Sequence, residues 1–271
     1  MPEPGDLHES VSQFENLGLW LHRQSAGSVS GRAAGSGFVW CHTTWPFGNQ
    51  AVLTEPVTTR QELDQQAEAV VGFAAGRSEM FLWVLCHHLI PEDLAAGLPE
   101  TLSRHGLHHA LTTMGMVAPD GLTPPPDAGP DCTVRRAVTQ EDMLALSRIN
   151  AAAYMVPMEW APDLVTKISL VADDCFAYLA EVGGQPVSSA ATFVLDGRLY
   201  VAFVATLPGY GQQGLAEAVL RASIEAATKA TGIRRTVLHA TEAGHSLYRR
   251  IGFRDVAPCT MFAGSPRPAV P

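Results

Sequence analysis

A proline-rich break, PDGLTPPPDAGPD from Pro119 to Asp131, limits most strongly what this chain can become. Its five prolines fix φ and remove backbone donors, so neither a helix nor a central strand runs through it. Such a cluster favours an extended spacer. The break predicts an N-terminal domain over 1–118, a linker over 119–131 and a second domain over 132–271. A chain of 271 residues holds both, at about 100–200 residues per domain.

The pattern after the break is regular. Residues 133–138 read as a strand, and Thr139 as the N-cap of a helix with Met143, Leu146, Ile149 and Ala153 on one face and Asp142 in its first turn. Strands follow over 175–182, 187–195 and 199–207, joined by turns at Gly183-Gly184 and Asp196-Gly197. A helix from Leu215 stops at Gly232, a strand covers 235–240 and a short helix 244–250. A last strand spans 253–262, interrupted by Pro258. In the first half a helix is expected over 7–22, strands at 37–42 and 50–54, then helix 60–75, strand 80–86, helix 92–105 and strand 109–117. That closing order repeats the closing order of the second half, and AAGLPETLSRHGLHHA echoes EAGHSLYRRIGFRDV. An old internal duplication is the expectation.

The stretch VATLPGYGQQGLA, from Val204 to Ala216, contains Gly209-Tyr-Gly211-Gln-Gln-Gly214 and so satisfies G-x-G-x-x-G. A strand running into glycines and then a helix suits a diphosphate, because glycines permit close approach and a helix start offers unpaired N–H groups with a positive dipole end. A Rossmann unit also needs a parallel strand–helix–strand and an acid about 20 residues on. Two hairpin-type turns precede these glycines instead, and Ile233, Arg234 and Arg235 stand at that distance. No G-x-x-x-x-G-K-[ST] occurs, which excludes a P-loop.

Two linked motifs decide the reading. Val204, Pro208, Tyr210, Gly214 and Ala216 fall in register with V-x-x-x-P-x-Y-[RQ]-x-x-G-x-[GA], and Leu247, Tyr248, Gly252 and Phe253 with A-x-x-L-Y-x-x-x-G-F, Gly244 replacing the alanine. Over about 133–262 the sequence resembles the GNAT superfamily of N-acetyltransferases. The resemblance implies an α/β fold, a mostly antiparallel mixed sheet flanked by helices, in a tandem GNAT-like arrangement whose N-terminal member is degenerate. It implies an acyltransferase that moves an acetyl group from acetyl-CoA to the amine of a small molecule or amino acid, with no metal. The alternative is a non-catalytic acyl-CoA-binding regulatory module, supported by a loop from Pro208 to Leu220 without a cation and by Gly211 where the family has Arg or Gln.

The site residues come from the same resemblance. Phe203, Val204, Ala205 and Thr206 would border the pantetheine gap; Gly211, Gln212, Gln213, Gly214, Leu215 and Ala216 would form the diphosphate loop; and Thr241 stands where many members place an asparagine. The Val204 N–H would stabilise the oxyanion and Tyr248 would protonate the departing thiolate. Reference pKa values of about 8.5 and 10 make that transfer uphill by roughly 2 kcal/mol. Arg221, Arg249 and Arg250 are candidates for the 3′-phosphate, and His239, Glu242, Glu159 and Asp173 for a base, with a water chain as the other option. The position echoing Tyr248 in the first half is Leu102 or Ser103, neither a useful acid.

Charge narrows the partners. Residues 1–131 carry 15 acids against 5 arginines and no lysine, whereas the remainder carries 13 bases against 12 acids. No basic face points to nucleic acid, and the acidic half would suit a cationic amine. A charged fraction of 17%, against roughly 25% in typical domains, leaves room for a buried contact between domains or in a homodimer. No apolar run approaches the ~18 residues of a membrane span. Five scattered cysteines without C-x-x-C fit reduced thiols in a cytoplasmic protein. The pairs His87-His88 and His108-His109 do not have zinc spacing.

Overall fold

The structure is a computed structural model that describes residues 3–126 and 129–265. Asp127 and Ala128 of the expected linker, and the outermost residues of both expected domains, lie outside the described residues. The chain divides into two compact units, Met1–Gly115 with Val256–Pro271, and Met116–Asp255.

The first unit contains α1 (Pro4–Arg23), β1 (Val29–Ala33), β2 (Ser36–Trp40), β3 (Asn49–Leu53), α2 (Arg60–Ala74), β4 (Phe81–Cys86), α3 (Glu92–Ala96), α4 (Leu98–Ser103) and most of β5 (Leu107–Ala118). The expected 92–105 helix is broken in two, because Gly97 ends one segment and Pro99 sits in the first turn of the next. Strand alternation builds two cores. Ala51, Leu53, Phe81, Trp83 and Leu85 pack with Leu63, Ala67 and Val70 of α2. Val52, Leu82, Val84 and Cys86 pack with Val11 and Phe14 of α1. A strand buried on both faces reads as the continuous apolar run FLWVLC.

The second unit contains β6 (Thr133–Arg136), α5 (Gln140–Ala153), α6 (Ala161–Lys167), β7 (Cys175–Val182), β8 (Gln185–Leu195), β9 (Arg198–Thr206), α7 (Leu215–Thr231), β10 (Thr236–Ala240) and α8 (Glu242–Arg250). Its strands run in the order β10-β9-β8-β7-β6. Antiparallel hairpins join β7, β8 and β9, while β9 and β10 are parallel. Residues 189 and 192 of β8 point to opposite faces. Accordingly Ser189 meets Asn150 of α5, while Thr192 meets Ser223 of α7. Met143, Leu146 and Ile149 of α5 are buried as the helical spacing predicts.

The last strand corrects the domain boundary drawn from the linker. β11 (Arg254–Gly264) runs unbroken through Pro258, and from Val256 onward it belongs to the first unit, between β4 and β5. Its register pairs Cys259 with Cys86, Met261 with Val84 and Phe262 with Trp83. The expectation of five reduced thiols also fails, because Cys86 and Cys259, opposite each other in this register, form a disulfide. A separation of 173 residues hid that pairing in the sequence. Among the described residues no helix is long and apolar enough to cross a membrane.

Two outcomes follow from this packing. Cys41, Cys132 and Cys175 remain free, and burial pushes the thiols of Cys41 and Cys175 up to about 11 and about 12. Thiol titration should find one slowly reacting cysteine in the native protein, three after denaturation and five after reduction. At the start of α5, burial raises the Asp142 pKa. It is outweighed by hydrogen bonds from the Val138 and Thr139 N–H groups and from Arg135, leaving it at about 2 against an ordinary 3.8. A depressed folded pKa means stability that is present above pH 4 and lost as pH falls through 2. Asp142→Ala should therefore cost about 1–2 kcal/mol in urea unfolding at pH 7 and progressively less as the pH approaches 2.

Candidate functional site

The site begins where two parallel strands part. β9 and β10 pair at Leu199↔Thr236, Tyr200↔Val237 and Val201↔Leu238. Beyond Val201, β9 continues for five more residues to Thr206, past the end of its register with β10. On its other side β9 is bulged. Ser189 pairs with Ala205 and Ala191 with Ala202, so Phe203 and Val204 share one opposite residue. Phe203 adopts φ +55°, a left-handed conformation that costs a non-glycine residue about 1–3 kcal/mol. Among the predicted gap residues, Phe203, Val204 and Thr206 are half-buried and Ala205 is buried.

The glycine loop follows directly. Gly209 and Gly214 have φ of +91° and +80°, and Gln212 has +60°. A Cβ at Gly209 or Gly211 would meet nothing within 4 Å, so the main chain there is open to close approach. Gly214 is the N-cap of α7 and provides no side-chain cap. The first helical bond joins the Ala218 N–H to the Gly214 carbonyl. The N–H groups of Leu215, Ala216 and Glu217 thus precede the i→i−4 ladder, at the positive end of a 17-residue helix. Gly211, Gln212, Gln213 and Gly214 are exposed, while buried Leu215 anchors the turn.

The first unit shows the opposite arrangement at the matching elements. β3 pairs in parallel with β4 up to Val52 and ends one residue later, at Leu53. The Val57 N–H then bonds to the Leu89 carbonyl at 2.8 Å, bridging the chain after β3 to the chain after β4. The Thr59 hydroxyl caps the Glu62 N–H, and the Glu62 carboxylate accepts from the N–H groups of Thr58 and Thr59. A carboxylate therefore fills the anion position of α2. Leu102, one echo of Tyr248, is fully buried, and Ser103, the other, bonds to the Glu100 carbonyl.

The cations expected near the loop are all engaged. Arg221 and Arg250 contact Glu217 at 2.9 Å and 2.6 Å, and Arg249 lies 3.9 Å from Asp255. Arg221 also donates to the Thr123 and Pro124 carbonyls. Burial raises the Glu217 pKa, but hydrogen bonds from Arg250 and Arg221 outweigh it, so the carboxyl stays ionised in the first turn of α7.

Tyr248 lies buried on α8, edge-on to Phe253 at a centroid distance of 5.8 Å. Burial, and secondarily the nearby phenol of Tyr154, hold its pKa above the usual phenol value. Thr241 is the N-cap of α8, and its side chain makes no capping bond. His239 accepts or donates at 2.9 Å to the Tyr200 hydroxyl, and burial pushes its pKa down to about 3, which removes it as a base for an ammonium group. Glu159, Asp173 and Glu242 are exposed. Sequence reasoning missed Asn150 and Tyr154, which reach the bulge from α5; their i, i+4 spacing was the available signal.

Residues 143–253 match the family model described as the acetyltransferase (GNAT) family. This segment is a GNAT domain. Solved structures share the fold over nearly the whole chain. A GCN5-related N-acetyltransferase from Kribbella flavida is similar with a TM-score of 0.62 and 20% identity, over 94% of this chain and 95% of its own. A putative GNAT-family acetyltransferase from Novosphingobium aromaticivorans is similar with 0.59 and 16%, over 96% and 99%. A tandem GNAT protein from the clavulanic acid biosynthesis pathway is similar with 0.52 and 12%, over 98% and 95%. No curated protein matches in sequence. The GNAT domain departs from its signature at Gly244, and packing explains why. A Cβ there would lie 2.8 Å from Cε2 of Tyr248. Gly244→Ala should gain up to about 1 kcal/mol in helix propensity but lose about 1–3 kcal/mol to overpacking against the buried ring, so the melting temperature should not rise. The substitution should also displace the Tyr248 ring, shift its NMR resonances and lower acyl-transfer turnover about tenfold.

Proposed function

We propose that the GNAT domain transfers an acetyl group from acetyl-CoA to the amine of a small molecule or amino acid. The observation that carries this reading is the end of β9–β10 pairing after Val201, followed along the chain by the uncapped start of α7, with the Tyr248 phenol beside Tyr154, whose hydroxyl bonds the Val204 carbonyl. The open main chain at Gly209 and Gly211 and the orphan amides of α7 suit a diphosphate. An extended pantetheine arm would pair with β9 beyond Val201, near Val204 and Thr206, like an added strand.

The chemistry is division of labour between a main-chain donor and a phenol. As an amine adds to the thioester carbonyl, the Val204 N–H stabilises the charge on oxygen. Tyr248 gives its proton to the leaving sulfur; burial keeps the free phenol protonated but, by raising its pKa, makes that transfer steeper until the bound thiolate is itself desolvated beside it. Water takes the acceptor's proton, since His239 is held neutral with weak basicity and the candidate acids are exposed.

The absence of cations from Pro208 to Leu220, with ionised Glu217 in the first helical turn, favours a second reading as a non-catalytic acyl-CoA-binding regulatory module. Calorimetry with acetyl-CoA and thiol release across a panel of amines separate the two. Transfer predicts binding, amine-dependent thiol release and a loss of about 10²-fold in kcat for Tyr248→Phe. Binding without turnover, indifferent to that substitution, supports the regulatory module, and binding of a nicotinamide cofactor in place of acetyl-CoA refutes both.

A further inference from the structure

The bulge of β9 is held by side chains where a regular strand would be held by its neighbour. The Phe203 carbonyl accepts from the Ser189 hydroxyl at 2.9 Å and shares, at 3.4 Å, an Nδ2 proton of Asn150, whose shorter bonds go to the Leu146 carbonyl and the Ser189 oxygen. The Val204 carbonyl accepts from the Tyr154 hydroxyl at 3.2 Å, and the Ala205 carbonyl from the Ser188 hydroxyl at 2.9 Å. Three successive carbonyls thus each receive a side-chain proton. Asn150 also donates to the Ser189 oxygen at 3.0 Å, joining the first two donors into one network.

Peptide planarity turns these bonds into an aiming device. The Phe203 C=O and the Val204 N–H belong to one trans peptide unit and point in opposite directions. A carbonyl held toward Ser189 and Asn150 forces the Val204 N–H away from them, off the β8 side of the strand. The Tyr154 bond fixes the next peptide plane in the same way. With only the left-handed torsion of Phe203 between flanking regular strand, releasing either plane lets the bulge relax. Asn150 and Tyr154 are one helical turn apart on α5, so one helix end grips both planes.

We propose that Ser189, Asn150 and Tyr154 form a positioning clamp that sets the direction of the Val204 N–H for acyl transfer. This inference rests on the acetyltransferase reading for its kinetic consequence, but its structural half stands independently. Ser189 and Asn150 act through the backbone alone, whereas Tyr154 also neighbours the Tyr248 phenol, so Ser189→Ala is the variant that isolates the clamp. Affinity for the carrier thioester is therefore left intact while turnover falls.

The test uses Tyr154→Phe and Ser189→Ala in the full chain. Tyr154→Phe keeps the aromatic ring and removes only the hydroxyl, so the packing of the fold is preserved. Each variant should lower kcat for acetyl-CoA turnover about tenfold, with the acetyl-CoA Kd changed less than twofold and the melting temperature nearly unchanged. The double variant should lose less than the product of the single losses, as expected for groups acting as a unit. In the free protein, the Val204 amide should shift its NMR resonance and exchange faster in both variants. Unchanged kcat in both variants, or an unmoved Val204 amide, overturns the clamp. Should the wild-type protein not turn over acetyl-CoA at all, the acetyltransferase reading fails, and the amide measurement still decides the clamp.

Discussion

Parallel pairing between β9 and β10 lasts three residues and then stops, and the site depends on that stop. A strand leaving its neighbour exposes main-chain donors and acceptors that an ordinary sheet would consume. Such groups are costly when buried and unpaired, so a separation of this kind persists only where something else satisfies them. On one side the hydroxyls and the amide from β8 and α5 do so. On the other side the register with β10 ends at Val201↔Leu238.

The two units use the same elements with opposite helix-terminus chemistry. In the first, Thr59 and Glu62 satisfy the start of α2 from within, and Val57 ties the end of β3 to Leu89. In the second, Gly214 caps α7 without a side chain, and β9 runs on past its partner. A carboxylate built into a helix start competes directly with any phosphate, because both seek the same amides and the same dipole. This local exchange of glycine for a threonine–glutamate box leaves the start of α7 without a side-chain cap and the start of α2 capped from within.

Much of the second unit was legible in sequence because its signals are local. Thr139 with Asp142, the Gly183-Gly184 and Asp196-Gly197 turns, and the glycines before Leu215 each fix a neighbourhood of a few residues. The two signatures located the loop and Tyr248 for the same reason. Long-range pairing was not legible. Nothing near Cys86 announces Cys259, and nothing near Pro258 reveals that its strand completes the first unit. The bulge was hidden too, since Phe203 has no intrinsic preference for a left-handed torsion; donors distant in sequence at Asn150, Tyr154 and Ser189 hold it there. The candidate cations were visible, but not that Glu217 engages Arg221 and Arg250.

The placement of β11 has a consequence for how the molecule is born. The strand that sits between β4 and β5 leaves the ribosome only after every residue of the second unit. Until then the nascent first unit carries two open strand edges, at β4 and β5, with their hydrogen-bonding groups exposed. At roughly 5–20 residues per second, about 140 residues of intervening synthesis hold those edges open for many seconds. Joining of β4 to β5 thus waits on synthesis of the whole second unit, and a ribosome that stalls before β11 leaves that sheet unfinished.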